Sequence, residues 1–389
     1  MSESERNVGV KTNRSKHLLQ LMLETADIQI GGSDPWDIQV KDERFYDRVL
    51  THGSLGFGES YVEGWWDCER IDEAIRKIRE ADLERHIKHN WGFALAALDT
   101  IKEQFFNRQN QKRATEVVKV HYDLGFELFR YMLGPTMVYS CAYWKDAVNL
   151  DRAQEDKLDL ICKKLRIESS DRVLDIGCGW GGFLKHVAAN YGCSVTGITN
   201  SYNQCAFARD FCKGLPVRVL LADYRDPCLV REGRFDKIAC MGMFEHVGRK
   251  NYRTLMKFVD TLLIANGLFL LHTIGRCTGT GAPDPWLERY IFPNGMSPSA
   301  AEIARAVEGL FVIEDWHRFG TDYDRTLMAW HANFETYAEA SAGILSTGFQ
   351  RMWRYYLLAN AGSFRARRGP QLWQIVLSKN GTNGYCSVR

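Results

Sequence analysis

The stretch VLDIGCGWGG at 173–182 sets an aspartate, Asp175, just ahead of three spaced glycines, Gly177, Gly179 and Gly182. Glycines lack a Cβ, so a ligand can lie directly against the backbone where a strand turns into a helix. Two ligand classes fit such a turn, a dinucleotide and S-adenosylmethionine. A dinucleotide site calls for an acidic residue about 20 positions on to hold the ribose. The sequence there, VTGITNS at 195–201, has none, which weighs against a nicotinamide oxidoreductase. The commonest methyltransferase pattern also uses an acid at that place, so here Thr199 and Gln204 are left to serve the ribose or methionine region. Asp175 is placed to accept from the ligand's amino group, and Asp223 from the adenine amino group.

Two further residues suggest proton chemistry. Glu245 and His272 fall at the carboxyl ends of the fourth and fifth apolar runs of the same region. That edge of an open α/β sheet is where ligands bind, and a carboxylate or imidazole there suits a general base. A lone glutamate or histidine is more often structural. Two of them on successive strands at the ligand edge point to function.

The elements that must position these groups follow from patterning. Strands are predicted over Arg172–Ile176, Ser194–Thr199, Val217–Leu221, Phe235–Met241 and Gly267–Thr273, with a helix from Gly182 and helix-length segments between the runs. The alternation predicts an α/β fold with a mostly parallel sheet and helices on both faces. Phe311–His317 and Leu372–Ser378 are closing strands, and the helical stretch of about 325–362 between them is too long for one simple crossover. Before this region, 15–100 reads as a small helical, turn-rich domain with a helix over Ser15–Ala26. The glycine- and aromatic-rich HGSLGFGESYVEGWWD (52–67) places Trp65 and Trp66 in a satellite core. The polar, basic 102–115 reads as a linker, giving domains at 1–101 and 116–389.

Composition narrows the class. The 389 residues carry 50 basic and 48 acidic side chains, a net charge of +2, so nothing pulls the whole chain toward nucleic acid. The eleven cysteines are scattered without a C-x-x-C pair, which argues against a disulfide framework or a paired-cysteine zinc site and for reduced, cytosolic thiols. The polar start MSESERNVGVKTNR has no apolar signal region, and no apolar run approaches the roughly 18 residues of a spanning helix. A membrane substrate would therefore be reached from the water side. Two modest basic clusters, Arg108, Lys112 and Arg113, and Arg365, Arg367 and Arg368, suit anionic headgroups.

Six motifs in order, HYDLG (121–125), YSCAYW (139–144), VLDIGCGWGG, MFEHVG (243–248), LLHTIG (270–275) and YIFPNG (290–295), resemble the bacterial cyclopropane-fatty-acyl-phospholipid synthases. The related mycolic acid cyclopropane synthases share part of the pattern but lack the GSLGFGESYVEGWWD segment. The resemblance implies a Rossmann-like class I methyltransferase sheet with a final antiparallel strand and a helical, lipid-facing cover. It implies a cytoplasmic homodimer that visits the inner face of the membrane, binds S-adenosylmethionine and forms a cyclopropane ring on unsaturated phospholipids. Tyr139 and Ser140 match residues at the methionine end of the cofactor, and Gly177, Gly179, Thr199 and Gln204 match its binding loop. Gly181 in the same turn and Tyr224 beside Asp223 complete the expected cofactor set. Cys141, Glu245, His272, Ile274 and Tyr323 match residues around a bound bicarbonate. Glu245 acting as the base without bicarbonate stays open. Where some members carry a cysteine in the late helix, this chain has Asn360.

The chemistry so implied needs no nucleophilic side chain, because the sulfonium methyl is a strong electrophile and the alkene is the nucleophile. It needs alignment, a dry cation-tolerant pocket and a base that does not trap the cation. Tyr143, Trp144, Phe244 and Tyr323 offer aromatic faces near the motifs. Rival readings are methyl or methylene branching without ring closure, N-methylation of a small amine, and a non-enzymatic lipid-binding protein.

Overall fold

The computed structural model describes residues 3–83, 125–277 and 283–389, with residues 3–13 as backbone only. The expected linker at 102–115, its cluster Arg108, Lys112 and Arg113, and most of HYDLG lie outside the described residues. Two compact units are present. One draws on the described residues of Met1–Lys102, Ala282–Pro293 and Leu327–Gly369, and the other on those of Glu103–Gly281, Asn294–Thr326 and Pro370–Arg389.

The first unit is mainly helical. Its helices are Glu3–Glu24, Arg44–Val62, Ile71–Glu80, Pro285–Tyr290 and Thr347–Arg365, together with the part of Asp322–Ala340 from Leu327 onward. A short antiparallel pair, β1 (Gln39–Val40) and β2 (Trp66–Asp67), closes a loop beside them. The predicted helix over Ser15–Ala26 is the second half of a longer one. Aromatic rings fill the centre: Trp66 is fully buried, with Phe57 and Tyr61 rings at 4.3 and 5.0 Å. Its indole N–H reaches the Phe57 carbonyl and the Ser60 hydroxyl, both at 3.1 Å, which satisfies the one polar atom that burial would strand. Trp65 is only half-buried, with the guanidinium groups of Arg44 and Arg48 over its ring at 4.4 and 4.7 Å. Of the expected satellite core, Trp66 is therefore the anchor and Trp65 the rim.

One basic cluster proves to be structural in part. Arg365 donates to Asp72 at 2.7 Å and pairs with Glu73, so its charge is spent holding the last helix to Ile71–Glu80. Arg367 and Arg368 remain exposed.

The second unit holds a seven-stranded sheet: β3 (Arg172–Ile176), β4 (Ser194–Thr199), β5 (Val217–Leu221), β6 (Phe235–Met241), β7 (Leu263–Gly275), β8 (Val312–Arg318) and β9 (Gln371–Ser378). Their order is β5-β4-β3-β6-β7-β9-β8, with β9 antiparallel to both neighbours and the other pairs parallel. Period-2 alternation divides each strand between two cores. Leu174, Ile176, Ile375 and Leu377 join one apolar cluster, and Val173 and Val376 the other. Apolar runs buried on both faces are what a parallel sheet covered by helices requires.

Strand bounds follow the sequence reading closely except at β7, which begins at Leu263 instead of Gly267. The helix Tyr252–Leu262 runs straight into it. Phe235 pairs with Leu263 and Lys237 with Leu268, so residues 264–266, partly or fully exposed, form an irregularity that the pairing steps around. Among the described residues, no helix is long and apolar enough to cross a membrane.

In the first unit, a Cβ on Gly362 would lie 2.0 Å from the Asp72 carbonyl oxygen, a backbone atom that cannot swing aside. Gly362→Ala is expected to destabilise this helix pair by about 1–3 kcal/mol. Thermal unfolding should show a lowered midpoint; an unchanged midpoint would contradict the packing described.

Candidate active site

The strand order reverses at β3: β4 lies on one side of it and β6 on the other. The crevice beyond the carboxyl ends of these strands is the ligand position of open α/β sheets. Asp175 sits on β3 opposite Gly197 of β4 and Ala239 of β6, small residues on both flanks. Past Ile176 the chain turns through Gly177, Gly179 and Gly181, all at positive φ (85°, 54° and 88°), and enters the helix Gly182–Tyr191. A Cβ on Gly177 would come within 2.8 Å of the Met243 side chain, so glycine is needed there for both conformation and space.

This turn forms one wall of a cleft whose lining takes in Tyr139, Ser140, Asp175, Gly177, Gly179, Thr199, Gln204, Asp223 and Tyr224. Gly181, expected in the set, does not line it; it caps the helix. Asp175 is fully buried, and neither carboxylate oxygen has a hydrogen-bond partner. Burial pushes its carboxyl up to about 7, with the Lys157 ammonium opposing. A buried carboxylate without partners is costly, so its position makes sense as an acceptor kept for a ligand's N–H groups. Thr199 donates to Gln204 Oε1 at 2.9 Å and accepts from the Ser201 N–H, which fixes both cleft side chains in place.

Asp223 is more committed than expected. Arg225 donates to it from Nε at 2.6 Å, from Nη2 at 2.8 Å and from its backbone N–H at 2.9 Å. Any contact from Asp223 to a ligand would use the lone pairs that remain. Arg225 itself lines the cleft, as do Asn200, Met243 and His246, none of which was singled out from sequence. The Tyr224 hydroxyl is buried without a partner.

The proposed anion residues lie outside that lining and cluster with one another. The Cys141, Phe319 and Leu372 side chains pack together, with Tyr143, Ile274 and Tyr323 against them. Glu245, in the short turn Phe244–His246 after β6, accepts from the Ile274 N–H at 2.6 Å. Its other oxygen, Oε2, is buried without a partner. Burial raises this carboxyl to about 7, against the pull of the Ile274 N–H. His272, paired with Met241 on the sheet, sits edge-on to Phe319 at 6.0 Å. Gln374 Nε2 meets its Nδ1 at 3.3 Å, and Nε2 is buried without a partner. Burial drives the imidazole well below its ordinary value, so it is neutral. With Nδ1 accepting from the amide, the proton rests on Nε2. The cluster thus holds one orphan acceptor and one orphan donor.

Cys141 is a buried thiol. Desolvation and the nearby Asp322 carboxylate push it well above its usual range, so it is no thiolate nucleophile. Of the aromatic candidates, Tyr143 and Tyr323 border this cluster. Trp144 donates to Thr326 at 2.9 Å, and Phe244 stacks on Tyr252 at 4.2 Å within the sheet core.

Asp175 has a testable energetic signature. A carboxyl whose folded value is raised favours the fold while protonated and loses that advantage as pH rises through about 7. Asp175→Asn cannot ionise. Without ligand it is expected to melt above the wild type near pH 8, with the gap narrowing below about 7 and closing near the ordinary carboxylate value of about 4. A variant that melts lower than wild type near pH 8 would contradict the burial cost assigned to this residue.

Comparison with known proteins agrees with this geometry. Residues 109–375 match the family described as mycolic acid cyclopropane synthetase. The cyclopropane-fatty-acyl-phospholipid synthase of Escherichia coli (strain K12) is 50% identical over 368 residues, covering 95% of this chain and 94% of that protein. A probable fatty acid methyltransferase of Pseudomonas putida is 34% identical over 391 residues, with 96% and 95% covered. A mycolic acid cyclopropane synthase solved with SAH and CTAB has a TM-score of 0.62 at 29% identity, over 68% of this chain and 98% of that one. The chain belongs to the mycolic acid cyclopropane synthetase family, among its cyclopropane-fatty-acyl-phospholipid synthases, and is an S-adenosylmethionine-dependent methyltransferase.

Proposed function

We propose that this enzyme adds the methyl carbon of S-adenosylmethionine across a cis double bond of an unsaturated phospholipid acyl chain and closes a cyclopropane ring. The observation that carries the reading is Asp175, a buried carboxylate with both oxygens unpartnered, beside the glycine turn of a methyltransferase sheet. When bound there, S-adenosylmethionine supplies an activated methyl on a positively charged sulfur. Asp175 accepts from its amino group, the glycine backbone admits it, and Thr199 and Gln204 meet its ribose or methionine region. Tyr139 and Ser140 border its methionine end.

The alkene would attack the methyl with its π electrons as the methyl–sulfur bond breaks, its electron pair staying on sulfur in the departing S-adenosylhomocysteine, and a cation would remain on the acyl chain. Loss of one proton from the new methyl lets that carbon bond to the cationic centre. The residues near the second cluster suit this step. A protonated Cys141 and the Tyr143 and Tyr323 rings offer no strong nucleophile to trap the cation, and the Nδ1 lone pair of His272 is taken by the Gln374 amide. The orphan acceptor Glu245 Oε2 and the orphan donor His272 Nε2 fit a small guest that has both an acceptor oxygen and a hydroxyl. Bicarbonate meets that description, and it would supply the base, held by Glu245, His272, Tyr323 and Cys141, while the Ile274 N–H, given to Glu245, would act through that carboxylate. A homodimer working at the cytoplasmic face of the membrane is carried over from the resemblance. Within the late cluster, headgroup contact falls to Arg367 and Arg368, since Arg365 is engaged by Asp72 and Glu73, alongside Arg108, Lys112 and Arg113.

Incubation with methyl-labelled S-adenosylmethionine and monounsaturated phospholipid vesicles should give a ring product by mass and proton spectra. A methyl or methylene branch in its place rejects the final step. Removing bicarbonate should abolish turnover. Glu245 must be ionised to act as acceptor, so kcat should rise with pH through about 7. Glu245→Gln should lose roughly 100-fold or more in kcat together with that limb of the profile; a retained limb assigns it to another group.

A further inference from the structure

The helix Leu150–Leu165 carries Gln154 and Lys157 three residues apart, and both are fully buried. A lysine without any exposure is rare unless it is held by a specific partner. Lys157 Nζ lies 3.0 Å from Ser140 Oγ. Gln154 Nε2 donates to the Ser140 carbonyl at 2.9 Å and reaches the Val138 carbonyl at 3.4 Å. Two side chains of one helix therefore hold the segment 138–140 at three points, and all three residues of that segment line the cleft.

Donor arithmetic gives this clamp a consequence. An ammonium has three donors and no acceptor, so Ser140 Oγ accepts from Lys157. The hydroxyl's single proton is then released to donate elsewhere, and Ser140 borders the cleft. Across the same cleft Asp175 offers two acceptor oxygens without partners. Burial draws the lysine down to about 7 despite the attraction of Asp175, and ammonium and amine alike keep an N–H to give to Ser140 Oγ. One wall thus presents a donor and another an acceptor, the complement of an amino acid's carboxylate and ammonium.

We propose that Lys157, backed by Gln154, is a positioning residue that fixes Ser140 as a hydrogen-bond donor into the cleft and so selects ligands that carry a free amino-acid end. This rests on the reading of the cleft as the S-adenosylmethionine site. The role belongs to the helix behind the site and acts through Ser140, without contact to the reacting methyl.

The test compares two ligands of the full-length enzyme by calorimetry. S-adenosylhomocysteine has the amino-acid end, and 5′-methylthioadenosine lacks it. Wild type should prefer the first. Lys157→Met should weaken S-adenosylhomocysteine roughly tenfold or more, the size of one lost charge-assisted hydrogen bond, and leave methylthioadenosine within about twofold. Ser140→Ala should give the same pattern, and the double variant should be no worse than either single one. Lys157→Gln, which keeps an N–H donor, should recover part of the preference. Equal weakening of both ligands in Lys157→Met, or additive losses in the double variant, would overturn the proposal. Should Lys157→Met fail to fold, Ser140→Ala decides: an unchanged preference overturns it. A wild type that binds both ligands equally would instead remove the underlying assignment of the cleft.

Discussion

The buried carboxylate of Asp175 is the constraint around which the second unit is arranged. Its removal from water, with neither oxygen paired, raises it to about 7, an order of about 4 kcal/mol against the charged form. A fold tolerates such a group only where the rest of the sheet over-determines its position. Here β3 is paired on both sides, with Gly197 and Ala239 flanking the aspartate, and Leu184 and Cys178 pack against Gly197. The positive-φ glycines then carry the chain away into the helix, and Cys178 and Trp180 of the same turn line the cleft beside the aspartate. A cleft with an unsatisfied acceptor is the outcome, and a ligand bearing N–H donors is what relieves it.

The second cluster obeys the same electrostatics with the opposite purpose. Burial holds Cys141 protonated, His272 neutral and Glu245 near 7. A region that suppresses charge on its own nucleophiles is a poor place for covalent catalysis and a good one for a short-lived carbon cation. The hydrogen bond from the Ile274 N–H to Glu245, with one from the Gly242 N–H to the His272 carbonyl, ties the turn after β6 to the end of β7, the adjacent strand. That link aligns two residues 29 positions apart and turns two strand ends into one polar pair inside an apolar setting.

The first unit solves a different problem. Its aromatic centre around Trp66 is closed in part by Arg351, which bonds the Tyr61 and Trp66 carbonyls and Asp67. Arg365 does similar work with Asp72 and Glu73. Basic residues that look like a headgroup patch along the chain are thus partly internal ties. Such charged pairs gain most when buried hydrogen bonds accompany them, as they do here.

The sequence by itself determined the elements and the chemistry that resides in local order. Short apolar runs between helix-length segments located β3 to β6 to the residue, because a strand covered by helices on both faces is buried along nearly its whole length. Asp175 and the glycines were legible because turn geometry depends on neighbours in the chain. Tertiary structure alone decided what depends on distance in sequence. No local pattern singles out Gln154 and Lys157, whose partner Ser140 lies 14 and 17 residues earlier. Arg365 reads as surface until Asp72, 293 residues away, takes its charge. Local pattern records how each segment prefers to fold; which buried donor meets which acceptor is set only when remote segments pack, since burial is what forces every polar group to find a partner.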